Sequence, residues 1–374
     1  IQELGLRRDE LIALGRANVN DQNELFGVTP LALKLCGKIN AVSRKHGEVS
    51  RQLWKILWPE KSIDEIPINY ITNGVHAPSW TSSLIRSLYA KHIGENWSQL
   101  IRDPTTWAAG VARIPDEDLW QAHSLLRKRL IAFTRLRSYL SRAEIEMSVE
   151  EIQAALHMFD ENALTIGFAR RVAAYKRWGL LFTDVERLLR LIDNEERPVQ
   201  FIFAGKAHPQ DLGAKQILQQ FTLWRKDPRI RRHCVFIQDY DQEIARQMVQ
   251  GVDVWMNLPR RPLEASGTSG QKVAMNGGLN LSILDGWWPE GYDGNNGWAI
   301  GGEEVGTDSA VEDAQDAGSL YKVLEESIVP LFYDRDDNGI PRRWVARMKH
   351  SLATLPPAFS SDRMVSEYAR KVYV

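Results

Sequence analysis

The chain has 374 residues, of which 44% are hydrophobic and 25% charged, a composition typical of one large or two medium-sized globular domains. Its formal net charge of -1 excludes the basic surface expected of a protein that binds nucleic acid or an anionic membrane. No apolar run approaches the roughly 20 residues that a membrane-spanning helix requires, and the two cysteines, Cys36 and Cys234, are too few for a disulfide framework, so the reducing cytoplasm is the expected location.

The first 70 residues are predicted to be helical, because apolar residues recur at helical spacing over residues 8–14 and 31–57. Two prolines interrupt this pattern and lead into residues 68–71, which are predicted to be extended. A second long helical region, rich in Leu, Arg and Glu, is predicted over residues 117–158.

From residue 163 onward the pattern changes to short apolar runs separated by amphipathic segments of helix length. Runs that are hydrophobic on both faces are typical of a parallel sheet covered by helices on each side. The predicted fold class is therefore α/β with a parallel sheet. The predicted strands lie at residues 164–168, 199–203, 234–237, 252–256 and 279–284.

A glycine-rich turn at residues 264–272 (EASGTSGQK) follows one of these strands and leads into a predicted helix. Its glycines allow close approach of the backbone, and peptide N–H groups at a helix start can bind an anion. Lys272 lies in the first helical turn, where an ammonium opposes the helix dipole, so it suggests a bond to a bound carbonyl or a pairing with phosphate. An ordinary helix cap is the alternative interpretation, and the sequence is not that of a Walker loop.

Further polar residues follow the other predicted strands. The basic segment 170–177 (RRVAAYKR), the pair Gly205 and Lys206, and Tyr240 each come directly after a strand. Because ligands of parallel sheets bind beyond the carboxyl ends of the strands, these loops and the glycine-rich turn are expected to meet at one edge. A solvated basic turn is the alternative for segment 170–177, but its guanidinium and ammonium groups suit two phosphates bound side by side.

Several of these segments together resemble the C-terminal portion of the α-glucan phosphorylases, the family that acts on glycogen, starch and maltodextrin. The resemblance keeps the family's order along nearly the whole chain. Its motifs are HGEVS at 46–50, YITNGVH at 70–76, RRVAAYKR at 170–177, LEASGT at 263–268 with Lys272, Asn276-Gly277, LDG at 284–286, FSSDR at 359–363 and YAR at 368–370.

The resemblance implies the two-domain glycosyltransferase B architecture. Residues 1–70 would be a helical remnant of the N-terminal domain, residues 71–350 a Rossmann-like domain that binds cofactor and phosphate, and residues 351–374 a C-terminal crossover helix. Family members are about twice as long and this sequence begins at Ile1, so it is expected to be a C-terminal piece that is inactive alone.

The resemblance also implies the chemistry: phosphorolysis of an α-1,4-glucan by inorganic phosphate, giving glucose 1-phosphate, with pyridoxal phosphate carried on Lys272. The expected partners are the glucan and phosphate, without metal, membrane or nucleic acid, and the full-length protein could form a homo-oligomer. The catalytic residues implied are Lys176, Arg171 and Lys272; the cofactor contacts are Lys272, Thr268, Gly267, Ser269, Gly270, Arg170, Tyr240 and Trp80; the substrate contacts are Asn73, Tyr175, Glu264, Ser266, Gly267 and His76. A structural role for His76, and a simple packing role for Trp80, are the alternatives.

The chain departs from the family pattern at Asp241, where many members have a basic cofactor-site residue, and at Ala173, where many have histidine. Arg246 or Arg260 is the expected replacement for the missing basic residue. Two other functions stay open at this stage: a nucleotide-sugar-dependent glucan synthase, in which Lys272 would form a salt bridge, and a non-catalytic glucan-binding fragment.

Overall fold

The computed structural model describes residues 5–144, 147–304, 306 and 308–373. Within these residues the chain forms an α/β fold built around a parallel sheet of six strands, as predicted, with a separate pair of short strands near the start. The strands are β1 (Ile39–Ala41), β2 (Ile68–Tyr70), β3 (Leu164–Ala169), β4 (Val199–Ala204), β5 (Cys234–Ile237), β6 (Val254–Asn257), β7 (Leu279–Ile283) and β8 (Gly297–Ile300).

The order of the large sheet is β5-β4-β3-β6-β7-β8, and all of its strand pairs are parallel. This is the doubly wound order in which the chain starts at the centre, fills one half of the sheet, and returns to fill the other. The order reverses between β3 and β6, so the crevice that binds ligands in such sheets lies at the carboxyl ends of these two strands. β8 was not predicted from the sequence.

Helices cover both faces of the sheet and also form most of the chain's ends. They are α1 (Arg8–Leu14), α2 (Val28–Leu35), α3 (Arg44–Leu53), α4 (Ala77–Trp80), α5 (Ser83–His92), α6 (Trp97–Leu100), α7 (Pro104–Ala112), α8 (Asp116–Glu144), α9 (Val149–Ala154), α10 (Val185–Ile192), α11 (Leu212–Trp224), α12 (Pro228–His233), α13 (Gln242–Gly251), α14 (Ser269–Ala274), α15 (Trp288–Gly291), α16 (Ser309–Val323), α17 (Val329–Tyr333), α18 (Arg342–Ala358) and α19 (Ser361–Lys371). Among the residues that the structure describes, no helix is long and apolar enough to cross a membrane.

The core has two main parts, one on each face of the sheet. Successive side chains of a strand point to opposite faces, and β4 shows this clearly. Phe201 and Phe203 belong to the apolar cluster on one face, whereas Ile202 and Ala204 belong to the cluster on the other. Burial on both faces explains why β3 and β4 are uninterrupted apolar runs.

A buried ion cluster fixes the long helix α8 to the amino end of β6. Arg127 and His123 of this helix contact Asp253 Oδ1 at 2.6 and 3.1 Å, and the backbone N–H of Thr165 donates to Oδ2 at 2.9 Å. Burial opposes the ionisation of Asp253, but the Arg127 guanidinium and His123 outweigh it and keep the pKa of this carboxyl below its usual range. The helix is therefore held against the centre of the sheet.

The prediction that residues 31–57 are continuously helical is wrong, because β1 interrupts this region. Ile39, Asn40 and Ala41 pair in parallel with β2, which was predicted as an extended segment. Pairing with a strand about thirty residues away overrides the local helical spacing here, since strand formation depends on partners that the local sequence does not contain.

The C-terminal helix α19 packs against this N-terminal pair of strands. Asn40 Nδ2 donates to the Tyr368 hydroxyl at 2.8 Å, and Lys38 Nζ donates to the carbonyl of Lys371 at 3.1 Å. Residue 351, the predicted start of the crossover helix, lies inside α18, and the chain turns into α19 at Ser360. The last helix thus contacts β1 and the residue just before it.

We expect Ser82→Ala to lower the free energy of unfolding by about 1 kcal/mol, the usual effect of removing a helix N-cap. The buried Ser82 hydroxyl accepts a hydrogen bond from the Ile85 N–H at 3.2 Å at the start of α5. Urea unfolding measures the difference. Ser87→Ala on the exposed face of the same helix is the control, and equal effects of the two substitutions would contradict the capping role.

Candidate active site

The turn between β6 and α14 carries the glycine-rich motif, and other segments hold its backbone in place. The N–H of Glu264 donates to Asp285 Oδ2 at 2.9 Å, and the N–H of Trp287 donates to the Ser266 carbonyl at 2.9 Å. The Ser43 hydroxyl donates to the Ala265 carbonyl at 2.7 Å. Gly267 has a φ of 84°, a left-handed conformation that favours glycine at this position. The turn is therefore held from both the sheet and the N-terminal segment.

Glu264 lies at the centre of a buried cluster of charges. Lys176 Nζ donates to its Oε2 at 2.5 Å, and Arg170 Nη1 lies 2.8 Å from the same oxygen. Glu264 is 6% exposed and Lys176 5% exposed, so water screens these charges little. Arg170 also donates to the Asn257 side-chain oxygen. Two cations thus share one carboxylate, and the cluster carries a net positive charge.

Lys176 reaches this position because the loop after β3 is fixed. Residues Ala174–Lys176 form a 3₁₀ turn, and Arg177 follows in a left-handed conformation. The Arg177 guanidinium donates to the carbonyls of Leu258 and Pro259 at 3.0 and 2.9 Å. The loop after β3 and the turn after β6 are therefore joined directly, which brings together residues 88 positions apart in the sequence.

The loops after β4 and β5 reach the same edge of the sheet. The N–H groups of Arg170 and Val172 donate to the carbonyls of Ala204 and Lys206 at 3.0 and 2.9 Å. Burial raises the pKa of the Tyr240 hydroxyl, and the nearby charge of Arg170 lowers it. The four predicted loops thus meet at the carboxyl edge. Arg171 is exposed, and within the described residues it has no carboxylate partner.

Lys272 is the fourth residue of the short helix α14, and its ammonium lies 3.9 Å from the centre of the Trp80 ring. Burial lowers the pKa of this amine, and no charged neighbour among the described residues contributes to the shift. A lysine desolvated in this way and without a carboxylate partner is the kind that reacts with carbonyl groups. The side-chain oxygens of Ser266 and Gln271 lie buried nearby, without a partner in the described part of the protein.

The residues Thr268, Ser269 and Gly270 lie at the start of α14. The Thr268 side chain does not cap this helix, so its hydroxyl is not used by the helix. Gly270 is buried, and a Cβ atom there would lie 2.2 Å from Asn280 Oδ1. Close packing of the helix on β7 therefore requires this glycine. Contact of its backbone N–H with a cofactor remains a prediction.

The Thr-Asn-Gly segment approaches the same region from the N-terminal side. The carbonyl of Asn73 accepts a hydrogen bond from Gln271 Nε2 at 3.0 Å, next to Lys272 in α14. Trp80 is held by its carbonyl, which accepts from Asn276 Nδ2 at 3.0 Å. His76 is exposed at the N-cap of α4 and contacts the Ser79 hydroxyl of that helix at 2.7 Å, a contact that fits the structural alternative for this residue.

Tyr175 lies beside the charged cluster, with the Lys176 ammonium 4.4 Å from the centre of its ring. The Tyr175 ring is half-buried. Its position next to Lys176 is compatible with the predicted role in sugar binding. Thr268 and Ser269, at the start of α14, are also half-buried.

The basic residue missing at Asp241 is not replaced by Arg260. Asp241 caps α13 by accepting from the Ile244 N–H at 2.9 Å. Arg260 Nη2 contacts both oxygens of Asp313 on α16 at 2.7 Å, so its guanidinium is already paired. Arg246 is exposed on α13. The charge of Arg170 acts on the neighbouring Tyr240, where it lowers the pKa of the hydroxyl against the larger effect of burial.

Two residues that the sequence analysis did not assign to the site support it directly. Asn257, the last residue of β6, contacts Arg170. Asp285 accepts from the N–H groups of Glu264 and Gly286, both at 2.9 Å. Asp285 was visible in the LDG motif, but its contact with Glu264 depends on the pairing of β6 and β7.

The Asp285 carboxyl is expected to make stability depend on pH. Burial, with a smaller contribution from Glu264, raises its pKa from an ordinary 3.8 to about 6. A raised carboxyl pKa stabilises the fold below pH 3.8, and this contribution is lost as the pH rises to about 6. The difference in unfolding free energy between the parent protein and Asp285→Asn should therefore fall across this window, as measured by urea unfolding. A constant difference would contradict the prediction.

Comparison with known proteins gives consistent matches. Residues 12–290 match the family model of carbohydrate phosphorylase. The chain is 44% identical over 369 residues to a glycogen phosphorylase of Aquifex aeolicus, covering 99% of this chain and 52% of that protein. It is 43% identical over 369 residues to a maltodextrin phosphorylase of Thermococcus litoralis and 42% identical over 372 residues to a glycogen phosphorylase of Mycobacterium tuberculosis, covering 99% of this chain and 42% of each. The chain thus spans about half the length of the curated relatives it matches.

Proposed function

This chain belongs to the carbohydrate phosphorylase family, and we propose that it forms the phosphate- and cofactor-binding part of an enzyme that cleaves α-1,4-glucans with inorganic phosphate to give glucose 1-phosphate. The observation that carries the proposal is the cluster of Lys176, Arg170 and Glu264 at the switch point of the sheet, with the desolvated Lys272 on the adjoining helix. The relatives named above, a glycogen phosphorylase and a maltodextrin phosphorylase, support the same substrate class.

The residues around Lys272 fit pyridoxal phosphate. The half-buried amine of Lys272 would hold the aldehyde end, with Trp80 and Tyr240 beside the ring. The backbone N–H groups of residues 268–270 and the Arg170 guanidinium would hold the phosphate. When bound, the cofactor supplies a second phosphate group that can exchange a proton with the substrate phosphate.

Lys176 and Arg171 would bind the substrate phosphate. Two phosphates held close together repel each other, so cations are required between them. Lys176 is now paired with Glu264, and the arrival of phosphate would supply a competing anion. Glu264 would then be free to accept a hydrogen bond from a sugar hydroxyl. The remaining sugar contacts would come from Asn73, Tyr175, Ser266 and His76. The hydroxyl oxygen of Ser266 is buried and has no hydrogen-bond partner among the described residues.

The structure favours this function over the glucan synthase alternative. In a synthase that used a nucleotide sugar, Lys272 would donate to a salt bridge. Within the described residues its amine faces an aromatic ring, and only burial shifts its pKa. Retention of pyridoxal phosphate by the purified protein would separate the two functions, because a synthase does not require that cofactor.

The N-terminal segment supports the proposal that a longer protein completes the site. Leu25, Val28, Leu35 and Leu53 are between 66% and 87% exposed, and such a set of exposed apolar side chains marks a contact surface. We propose that residues absent from this chain cover this surface and close the substrate cleft. The exposed Cys36 and buried Cys234 are both unpaired, which supports the proposed cytoplasmic location. Association of the full-length protein into a homo-oligomer stays a prediction.

The test is an assay of the full-length protein and of this chain alone with maltooligosaccharide, inorganic phosphate and added pyridoxal phosphate. We expect glucose 1-phosphate from the full-length protein and almost none from this chain, because a completed cleft supplies the orientation and water exclusion that can contribute about 7–11 kcal/mol. No product from the full-length protein, with product from a nucleotide sugar instead, would overturn the proposed function. Comparable turnover by this chain alone would show that one domain suffices.

A further inference from the structure

A cavity of about 430 Å³ lies along the outer edge of the large sheet, away from the charged cluster around Glu264. Its walls are formed by residues 137–144 at the end of α8 with Met147, by residues 222–226 and Arg231 around the α11–α12 connection, and by residues 235–239 of β5 and the loop that follows. β5 is the edge strand and is separated from β3 by β4. Outward-facing backbone groups of an edge strand are free to bind a ligand.

The polar lining of this cavity is strongly basic. Five cationic side chains line it, against the two carboxylates of Glu144 and Asp239. The cations are Arg137, Arg142, Arg225, Lys226 and Arg231. Such an excess on one small concave surface attracts anions, because the cavity wall has a low dielectric constant and focuses the field.

Some of this charge is compensated within the chain. Arg231 Nη1 lies 3.1 Å from Glu151 Oε1, and Arg142 Nη1 donates to the Glu151 carbonyl at 2.6 Å. Glu151, at the start of α9, therefore holds these two arginines in place. Their positive charges still act on the rest of the cavity.

The positive charge of Arg225 is not neutralised by a carboxylate among the described residues. Its Nε is buried and has no hydrogen-bond partner, and no carboxylate pairs with its guanidinium in the described part of the chain. Burial lowers the pKa of this guanidinium, and the charges of Arg142 and Arg231 lower it further. A half-buried guanidinium without a carboxylate partner, beside two others of the same charge, is unfavourable, and a bound anion would offset part of that cost.

We propose that this cavity is a second anion site, which binds a phosphate monoester of a small metabolite with its phosphate on Arg225, Arg142 and Arg231. Guanidinium groups suit this ligand because their N–H pairs match the spacing of phosphate oxygens. The volume is within the range of about 300–1,000 Å³ found for small-molecule sites, which leaves room for more than a bare phosphate. Leu140, Val235 and Phe236 supply an apolar wall for the organic part.

Ligand binding in the cavity would affect the candidate active site through the short segment that connects β5 to Tyr240. Residues 235–239 line the cavity, and Tyr240 follows directly and packs into the core cluster that Trp80 also contacts. Asp239, the last lining residue, has a positive φ of 56°, a conformation that is uncommon for residues other than glycine. The ligand is therefore placed to act as an effector of the site that contains Lys272.

The test is isothermal titration calorimetry with glucose 6-phosphate, glucose and inorganic phosphate, on a protein that also carries Lys176→Ala to weaken the phosphate site at Glu264. We expect binding of glucose 6-phosphate, weaker binding of inorganic phosphate and none of glucose. Arg225→Gln should weaken the binding of glucose 6-phosphate at least tenfold. Arg229→Gln, which removes an exposed arginine of α12 that pairs with Asp227 outside the cavity, is the matched control.

A second variant makes the test independent of any folding defect. Glu144→Gln removes an exposed acid from the cavity lining and should tighten binding by about twofold, the effect of one exposed charge. The proposal is overturned if glucose 6-phosphate does not bind, if Arg225→Gln and Arg229→Gln bind it equally, or if Glu144→Gln weakens binding. Equal affinity for inorganic phosphate and glucose 6-phosphate would overturn the assignment to a monoester.

Discussion

We expect Lys272→Ala, made in the full-length protein, to lose bound pyridoxal phosphate and with it nearly all turnover. The amine of Lys272 faces the Trp80 ring and has no carboxylate partner among the described residues of the site. Burial lowers the pKa of this amine, which favours its neutral, reactive form. Loss of the cofactor would remove a proton-transfer group, which typically lowers a rate by about 10²–10⁴. Visible absorption of the purified variant and its rate of glucose 1-phosphate formation measure the two effects.

Chemical labelling tests the same assignment without relying on activity. Borohydride reduction of the parent protein, followed by peptide mapping, should place the cofactor on Lys272. Lys215→Ala, which removes an exposed lysine of α11, is the control and should keep both the absorption and the label. A label on another lysine, or full absorption in Lys272→Ala, would show that the cofactor is held elsewhere.

The second large effect is expected from Lys176→Ala, which should reduce kcat/KM for phosphate far more than the affinity for glucan. The substitution removes a charge-assisted contact to phosphate worth about 1.5–3 kcal/mol, so a loss of tenfold or more is expected. Arg171→Ala should act in the same direction, because its exposed guanidinium would form a two-pronged contact with phosphate. Kinetics with varied phosphate and with varied maltooligosaccharide separate the two substrates.

A double-substitution cycle with Glu264→Gln shows how much of the Lys176 effect comes from the cluster itself. Lys176→Ala leaves Glu264 buried with Arg170 as its remaining ion-pair partner, so part of its effect reflects a disturbed carboxylate. Coupling of about 0.5–3 kcal/mol is expected for groups in direct contact. Equal losses for phosphate and glucan in Lys176→Ala would indicate a general structural defect and contradict the assigned role.

The strands of the large sheet were predictable because their apolar runs are long and buried on both faces. Runs 164–168 and 199–203 differ from the observed β3 and β4 by one residue at the carboxyl end. β8 was not predicted, since Gly297–Ile300 is short and has no alternating or extended apolar pattern. Residues 39–41 were misassigned because their strand exists only through pairing with β2.

For the candidate site, the sequence was sufficient to predict which loops meet but not which side chains pair. Glycines, a lysine and a basic run after successive strands indicated one edge of the sheet, and the structure brings these segments together there. The ion pairs of Glu264 with Lys176 and Arg170 could not be predicted, because sequence spacing does not fix side-chain directions across two loops. The same holds for Arg260, whose partner Asp313 lies on the distant helix α16.

The limited pairing of the two central strands has a consequence for ligand access. β3 and β6 are in register at Ile166 with Val254 and at Gly167 with Trp255, so their ladder stops two residues before each strand ends. Beyond that point the strands are free to diverge, and the Arg170–Asn257 side-chain contact bridges the opening where a backbone ladder would otherwise continue. At the mouth of the crevice the two central strands are therefore joined by a side-chain contact and not by backbone hydrogen bonds to each other, so a change at Arg170 or Asn257 would alter the width of this opening.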